Sequence, residues 1–220
     1  MNRVELLKTC RNELYSAVVS DTLDSMGFRR QVVFPGLKPL KEGSHIVGFA
    51  RVSIYMPIFH DDANVNVYEH EIRFVDGLKA DEVPVFACSG NTRISPWGEL
   101  LSTRAKVLGA VGCITDGCVR DVDMIRNLEF PVFCGGRNPV DTKFRGKMMW
   151  SDVPGVIGEV EVNSGDLVIA DNDGIVFVPS AIIEVVVANS LEKVRAETTV
   201  RAELLAGVSL VDVFEKHGIL

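Results

Sequence analysis

The chain has 220 residues, of which 47% are hydrophobic and 24% are charged, and its formal net charge is −7. These values are typical of one globular domain covering residues 1–220, and the acidic balance argues against nucleic acid as a partner, because phosphate binding needs clustered Lys and Arg. No apolar run approaches the roughly 20 residues of a membrane span, and the N-terminus lacks the continuous apolar segment of a signal peptide. Five cysteines without CxxC pairs are typical of reduced thiols, so we expect a cytoplasmic protein without a membrane partner.

The N-terminal part of the chain predicts helices followed by β-structure. Residues 4–27 are typical of helices, and Asp21 is a candidate cap for the second of them. Residues 32–58 contain apolar runs separated by Gly and Pro, which indicates strands. Residues 60–78 predict a loop followed by a helix, and residues 81–90 predict a turn and a buried strand.

The middle of the chain predicts another helix and strand. Ser95 and Pro96 have the pattern of an N-cap followed by proline at the first helical position. Gly109 can end this helix, and residues 110–115 then predict a short buried strand that stops before Asp116. Four apolar residues share one predicted helix face: Leu100, Leu101, Ala105 and Leu108.

The order of these elements predicts the fold class. Residues 83–134 alternate strands with helices, which is typical of a parallel sheet with crossover helices. Residues 148–180 predict short strands between turns, as in an antiparallel layer or a small barrel. Residues 181–206 predict a long amphipathic helix, and residues 209–218 predict a short capped one. The fold class is therefore α/β, with a parallel core sheet and a β-rich return.

A charged segment after the predicted strand is the strongest indication of a site. The segment GCITDGCVRDVDM covers residues 112–124. Its arginine, Arg120, lies among three carboxylates: Asp116, Asp121 and Asp123. In open α/β sheets, ligands bind just outside the carboxyl ends of the strands, and a helix N-terminus there offers free N–H groups to an anion. The segment thus has the position of a binding site.

The residue types in this segment suit a divalent cation with oxygen ligands. Mg²⁺ and Mn²⁺ bind through one or two carboxylates and retain several waters, whereas none of the four histidines is near enough in sequence to favour zinc. An arginine beside such a cation can stabilise a developing enolate or oxyanion. From pattern alone, the alternative is an Arg–Asp pair that holds a solvated surface turn.

Four stretches of the sequence carry a resemblance to a known family: SAVVSDTLDSMG, WGELLSTRAKVLGAVGCITDGCVRDVDMI, VNSGDLVIADNDGIVFVP and RAELLAGVSLVDVFEKHGIL. The chain resembles the family of the regulator of ribonuclease E activity A and of the class II pyruvate aldolases that act on 4-hydroxy-4-methyl-2-oxoglutarate and 4-carboxy-4-hydroxy-2-oxoadipate. The resemblance implies a swivelling β/β/α-type fold. It also implies homotrimers or hexamers in which the C-terminal helices pack on a neighbouring subunit.

The resemblance also implies a role for each residue of the site. Asp121 would hold a divalent metal, Mg²⁺ or Mn²⁺, and Arg120 would contact the pyruvyl oxygen of a small 2-oxo-acid substrate. The turn at Gly98, Glu99 and Leu100 would offer backbone N–H groups to the substrate carboxylate. The side chain of Glu99 would also act on a bound water.

Two further features bear on the implied site. An acid from the C-terminal helix of the neighbouring subunit would complete it, and Glu197 is the best match, with Glu192 as the alternative. Trp97 is bulkier than the residue expected in this loop, so it could narrow the pocket or change the substrate.

These residues and the resemblance raise three candidate functions. The first is a metal-dependent lyase of aromatic-compound catabolism, which cleaves a 4-hydroxy-2-oxo acid to pyruvate and a second oxo compound through an enolate, with oxaloacetate decarboxylation as a side activity. The second is a non-catalytic regulator that binds an RNA-processing protein. Asp121 favours the enzyme, because ribonuclease regulators can lack an acid at this position. The third, a methyltransferase, is disfavoured because no glycine-rich cofactor loop is recognised.

Overall fold

The computed structural model describes residues 2–34, 36–60, 62 and 64–219. Within these ranges the strands are β1 (Lys38–Pro39), β2 (Ile46–Pro57), β3 (Glu82–Ala87), β4 (Cys113–Val119), β5 (Val132–Arg137), β6 (Gly146–Ser151), β7 (Gly155–Ile157), β8 (Val160–Val162), β9 (Leu167–Ala170) and β10 (Ile175–Val178). The helices are α1 (Arg3–Glu13), α2 (Ser16–Ser25), α3 (Glu69–Asp76), α4 (Glu99–Val107), α5 (Val122–Leu128), α6 (Ile183–Leu205) and α7 (Leu210–His217), with a 3-10 turn at Ser180–Ile182.

A curled mixed sheet forms the centre of the fold. In the described part of the chain, its strands follow the order β1-β5-β4-β3-β2-β9-β10, and β6 pairs with the second half of β2. Strands β2 to β5 run parallel to one another, whereas β6, β9 and β10 pair in the antiparallel direction. This arrangement confirms the α/β class with a parallel core sheet and a β-rich return.

Three apolar layers stabilise this sheet. One lies between the sheet and helices α3 to α5, where Trp97 packs on Phe86 and stacks on Phe130 at a centroid distance of 6.2 Å. A second fills the inside of the curl, and a third joins α1, α2 and α6 to the β9–β10 hairpin. Each large side chain that is fully buried in these layers contributes about 1.5–3 kcal/mol.

Helix α4 begins later than the sequence predicts. Ser95 and Pro96 are not its cap, because residues 95–98 run extended beside β4 and Trp97 forms a backbone bridge with Val119. The hydroxyl of Ser95 donates a hydrogen bond to the carbonyl of Asn138 instead. Gly98 occupies the N-cap position, so the first turn of the helix starts directly beside the end of β4.

The predicted end of the strand before Asp116 is also wrong. Strand β4 continues through Asp116 to Val119, with an irregularity in its pairing to β5 after Thr115. The buried carboxylate of Asp116 accepts hydrogen bonds from the N–H groups of Cys88 (2.5 Å) and Gly90 (2.8 Å). Burial raises the pKa of Asp116, although these two donors oppose the rise. Asp116 therefore holds the turn after β3 and is separate from the Arg120–Asp121 pair.

The terminal helices pack together within the chain. Asp21 lies inside α2, where it pairs with Lys193 of α6, so it is not the cap that the sequence predicts. Ser209 does cap α7, since its hydroxyl accepts a hydrogen bond from the N–H of Asp212. None of the helices in the described ranges is long and apolar enough to cross a membrane. Packing of α6 and α7 on a neighbouring subunit stays a prediction.

Candidate active site

A cavity of about 180 Å³ opens where the segment before α4, the end of β4 and the start of α3 meet. It brings together four residues that the sequence predicts for the site: Gly98, Leu100, Arg120 and Asp121. Three titratable residues that the sequence did not mark as part of the site also line it: Tyr68, Glu71 and Asp141. The cavity therefore has a charged side at the end of β4 and a second polar side built largely by α3.

The Arg120–Asp121 pair lies at the junction between β4 and α5. Asp121 has a left-handed backbone with φ of 57°, a conformation that Asp tolerates better than most residues and that is concentrated at functional sites. Its Oδ2 lies 3.6 Å from Nε of Arg120 and accepts a hydrogen bond of 3.2 Å from the N–H of Glu99. Each side chain of the pair is 37% exposed, so the pair can meet a ligand from the cavity.

Glycine is the only residue type that fits at position 98 without displacing the Arg120–Asp121 pair. Its φ of −150° is accessible to any residue, so the restriction is the close approach of neighbouring atoms. A Cβ at this position would lie 2.7 Å from Oδ2 of Asp121 and 3.2 Å from Cγ of Arg120. The glycine therefore allows the start of α4 to approach the carboxylate closely enough for the hydrogen bond from Glu99.

A second carboxylate lies on the other side of Arg120. Nη1 of Arg120 is 3.6 Å from Oδ2 of Asp141, and the hydroxyl of Tyr68 donates a hydrogen bond of 2.7 Å to the same oxygen. Burial opposes ionisation of Asp141, but the hydrogen bond from Tyr68 and the Arg120 charge hold its pKa below the ordinary value. Burial and the Asp141 hydrogen bond raise the pKa of Tyr68 to about 12, so it remains a donor. The guanidinium is thus held between two anions.

Glu71 is the most deeply buried acid of the cavity. It is only 6% exposed, because it lies on the same face of α3 as Phe74 and Val75. Burial raises the pKa of Glu71 to about 7, an effect that the Tyr55 hydroxyl and Arg120 weaken and that Asp141 strengthens. Burial and the Glu71 charge raise the pKa of Tyr55, whose fully buried hydroxyl has no other hydrogen-bond partner among the described residues.

The other residues that the sequence predicts for the site lie at the edge of the cavity, in its wall or outside it. Leu100 is at its lip and 76% exposed, so it does not share the buried face predicted for α4. Trp97 is buried, and its indole N–H donates to Ser102, so it forms a fixed wall of the cavity. The side chain of Glu99 accepts a hydrogen bond from Thr103 and does not line the cavity.

Glu197 lies on α6 in a different part of the chain. Its carboxylate accepts a hydrogen bond from the hydroxyl of Tyr15, and both residues line a separate cavity with Arg201. One chain does not place Glu197, or Glu192 on the same helix, in the cavity of Arg120. A contribution from either acid would come from another subunit, as the resemblance implies, and stays a prediction.

The side chains at the end of β4 fit a cation that keeps most of its waters. Across the described ranges, no three His, Cys, Asp or Glu side chains converge on one point, so a zinc-type cage is not formed there. Asp121 offers an accessible carboxylate, and Mg²⁺ is typically held by one or two carboxylates together with waters and ligand oxygens. Asp121 is therefore a suitable anchor for Mg²⁺ or Mn²⁺.

The three residues that sequence reasoning missed differ in the signal they carry. Glu71 precedes Phe74 and Val75 by three and four positions, so an acid on the apolar face of a predicted helix could have marked it. Tyr68 and Asp141 carry no such signal, because only the tertiary structure brings them to Arg120.

The fold and the position of the site define a class of mixed α/β proteins with a curled sheet. The structure superimposes with a TM-score of 0.87 on an uncharacterized protein from Pseudomonas syringae pv. tomato, at 27% identity over 98% of this chain and 95% of that chain. It also superimposes with a TM-score of 0.81 on Streptomyces coelicolor RraAS2, an unusual member of the RNase ES inhibitor RraA protein family, at 27% identity over 91% and 97% of the two chains.

Residues 16–177 match the model of the RraA-like family, described as Aldolase/RraA, and the chain belongs to this family. It is 29% identical to protein DlpA of Legionella pneumophila over 92% of this chain, but it spans only 32% of the length of that relative. It is also 29% identical to a protein of Halalkalibacterium halodurans that is provisionally named 4-hydroxy-4-methyl-2-oxoglutarate aldolase, over 80% of this chain and 77% of that one. The family and the names of its members thus cover both aldolases and ribonuclease regulators.

Proposed function

We propose that the cavity is the active site of a divalent-metal-dependent lyase that cleaves a 4-hydroxy-2-oxo acid to pyruvate and a second oxo compound. The observation that carries this proposal is the position of Arg120, which lies 3.6 Å from both Asp121 and Asp141 within the cavity at the end of β4. An ion pair that only stabilised a surface turn would not need the close approach of Gly98 or a donor from the start of α4.

The residues around the cavity supply separate parts of this chemistry. Asp121 would hold Mg²⁺ or Mn²⁺, which when bound supplies a Lewis acid for the carboxylate and keto oxygens of a 2-oxo acid. The guanidinium of Arg120 donates hydrogen bonds to the keto oxygen, on which negative charge develops as the C3–C4 bond breaks. The N–H of Glu99 already binds Asp121, so Gly98 and Leu100 are the N–H donors proposed for the substrate carboxylate.

The reaction also needs a group that moves a proton. The 4-hydroxyl group loses its proton when the C3–C4 bond breaks, and C3 of the enolate gains one to become the methyl group of pyruvate. The sequence resemblance supplies two candidates, which act through water: Glu99 at the start of α4 and Glu197 from a neighbouring subunit of a trimer or hexamer. Oxaloacetate decarboxylation forms the same enolate and is proposed as a side activity.

A matched pair of variants tests the proposal. Asp121→Ala removes the proposed metal anchor, whereas Asp123→Ala removes an acid two residues away whose side chain is 91% exposed and paired with Arg126. With 4-hydroxy-4-methyl-2-oxoglutarate, related 4-hydroxy-2-oxo acids and Mg²⁺, we expect pyruvate release from wild type and Asp123→Ala but not from Asp121→Ala. Release by Asp121→Ala at the wild-type rate would contradict the assigned site. Absence of release by wild type across the panel would contradict the lyase.

The second candidate function is a protein-binding regulator of RNA processing. The observation that favours it is the structural similarity to RraAS2, whose family is described as RNase ES inhibitors. The net charge of −7 would suit a basic protein partner. Capture of a purified ribonuclease by wild type and by Asp121→Ala in equal amounts, together with no pyruvate release, would support this function over the lyase.

A further inference from the structure

Glu71 differs from the other buried carboxylates in the described ranges in how its charge is accommodated. Asp116 accepts hydrogen bonds from the N–H groups of Cys88 and Gly90, and Asp166 accepts them from Asn163 and Ser180. Both acids therefore hold loops in place. Among the described residues Glu71 accepts no hydrogen bond from a backbone N–H, and the neighbour that most lowers its pKa is the hydroxyl of Tyr55, although Glu71 is buried to the same degree. A buried carboxyl group with a tyrosine hydroxyl beside it and no N–H donors is costly to ionise, and it holds no loop in place as Asp116 and Asp166 do.

The position of Glu71 makes it available to a ligand. It is 6% exposed and lines the same cavity as Arg120 and Asp121. Its neighbours are the Tyr55 hydroxyl from β2, the Arg120 guanidinium after β4 and the Asp141 carboxylate after β5, with Tyr68 at the start of its own helix. Arg120 lies near both Glu71 and the proposed metal anchor, so a substrate held by Arg120 would lie near Glu71.

We propose that Glu71 is the acid–base group of this cavity, an inference that rests on the proposed lyase function. Its carboxylate takes the proton of the substrate 4-hydroxyl group while the C3–C4 bond breaks. The hydroxyl oxygen becomes the carbonyl oxygen of the second product, and the bonding electrons form the enolate of pyruvate. The resulting carboxylic acid of Glu71 then gives the proton to C3, which forms the methyl group of pyruvate and restores the carboxylate.

The chemistry of the substrate allows one group to perform both transfers. The 4-hydroxyl oxygen and C3 are separated by only two bonds, so a carboxyl group facing one lies close to the other. No oxidant or further reactant is needed, because the proton that leaves the hydroxyl group is the one that reaches C3. A general base works best when its pKa is near the operating pH, and burial raises the pKa of Glu71 to about 7.

Exchange of the methyl protons of pyruvate with deuterated water tests this assignment, because it reports the final transfer without C–C cleavage. The probe is pyruvate with Mg²⁺, followed by proton NMR. Glu71→Gln is compared with Glu69→Gln, which changes an exposed acid on the same helix that pairs with Arg73. Loss of a general acid–base group lowers a rate by about 10²–10⁴-fold, so we expect a loss of at least 10²-fold for Glu71→Gln and less than twofold for Glu69→Gln.

Two further readouts separate catalysis from a structural effect. Calorimetry should show that Glu71→Gln still binds pyruvate and Mg²⁺ within a few-fold of wild type. The exchange rate of wild type should rise with pH through about 7 as Glu71 loses its proton, and the residual rate of Glu71→Gln should lack this rise. Glu71→Asp keeps a carboxyl group that is one methylene shorter, so it should recover part of the exchange and keep a pH-dependent rise.

The outcomes distinguish this inference from the proposed function. Wild-type exchange by Glu71→Gln, with loss in Glu99→Gln or Glu197→Gln instead, would overturn the role of Glu71 and leave the lyase intact. A wild-type protein that exchanges no methyl protons would overturn the enolate chemistry, and the role of Glu71 with it. Exchange that falls only in Glu71→Gln and returns in part in Glu71→Asp would support the inference.

Discussion

Substitution of Gly98 by alanine tests whether the position of the Asp121 carboxylate matters for function. The added Cβ would lie 2.7 Å from Oδ2 of Asp121, so the carboxylate must move by about 0.7 Å to reach an ordinary contact of 3.4 Å. The backbone of Gly98 is extended, with φ of −150° and ψ of −171°, and alanine adopts it without strain. The substitution therefore acts on the pair and leaves the helix start unchanged.

The expected effect follows from the contact that is lost. The hydrogen bond from Glu99 to Asp121 is already 3.2 Å long, and a further shift of the carboxylate breaks it. Displacement of a catalytic group by about 1 Å can cost about 10²-fold in rate, so we expect a loss of about 10- to 100-fold in kcat/KM. The side chains of Arg120 and Asp121 are each 37% exposed, so they can move toward solvent, and we expect the free energy of unfolding to change by less than about 1 kcal/mol.

The assay is pyruvate release from a 4-hydroxy-2-oxo acid as a function of Mg²⁺ concentration, together with thermal unfolding. The control is Gly174→Ala, because a Cβ at Gly174 meets nothing within 4 Å and should leave both measurements unchanged. If Gly98→Ala retained the wild-type rate and Mg²⁺ dependence, the tight packing of Gly98 on the pair would have no role in the reaction.

Three other predictions concern the same cavity and its neighbours. Arg120→Lys should keep the fold and the metal affinity but lower turnover by about 10²–10³-fold, because lysine lacks the planar guanidinium that can reach a substrate oxygen and a carboxylate together. Unchanged turnover would mean that the Arg120–Asp121 pair has only a structural role. The pKa of Glu71 rises from 4.5 to about 7 on folding, so ionisation of this carboxyl group destabilises the folded protein by about 3 kcal/mol, a cost that is absent below pH 4.5 and complete above pH 7. Urea unfolding should therefore show Glu71→Gln more stable than wild type by up to that amount at pH 8 but not at pH 4. A stability difference that does not change with pH would contradict this prediction. Mixed oligomers of inactive Glu197→Ala and Asp121→Ala subunits should recover some pyruvate release if Glu197 acts in a neighbouring site, and no recovery despite demonstrated subunit exchange would place the catalytic groups on one chain.

The elements of the fold were largely predictable because their local patterns and their tertiary roles agree. The alternation of strands and helices over residues 83–134 corresponds to the parallel strands β3, β4 and β5 with α4 and α5 between them. The long helix α6 and the capped helix α7 likewise follow from apolar periodicity and from Ser209. In each of these segments, residues close in sequence decide the outcome.

The wrong boundaries arose where a distant strand or loop competes with the local pattern. Ser95 and Pro96 have the residue types of a helix start, but pairing of Trp97 with β4 keeps this segment extended until Gly98. Asp116 has the charge of a turn residue, but two N–H donors from the loop after β3 allow it to remain inside a buried strand. Neither competing interaction is visible in a sequence window.

The candidate site was predictable only where its residues are close together in sequence. Arg120 and Asp121 are adjacent in sequence and follow a strand, so their position at a strand end could be inferred directly. Asp141 lies beyond β5, and Glu71 comes from α3, about fifty residues before the pair. The sequence alone did not indicate that the guanidinium lies between two carboxylates, because this depends on how α3 packs on the sheet.

Titration of metal-stripped protein with Mg²⁺ measures whether the site at Arg120 and Asp121 depends on a metal. Pyruvate formation from 4-hydroxy-4-methyl-2-oxoglutarate would be followed after treatment with EDTA, before and during addition of Mg²⁺ or Mn²⁺. A metal-dependent site predicts no pyruvate from the stripped protein, saturable recovery in wild type, and no recovery in Asp121→Ala, since that variant lacks the charged oxygen anchor. Pyruvate formation at the full rate in the presence of chelator would contradict a metal-dependent site at Arg120 and Asp121.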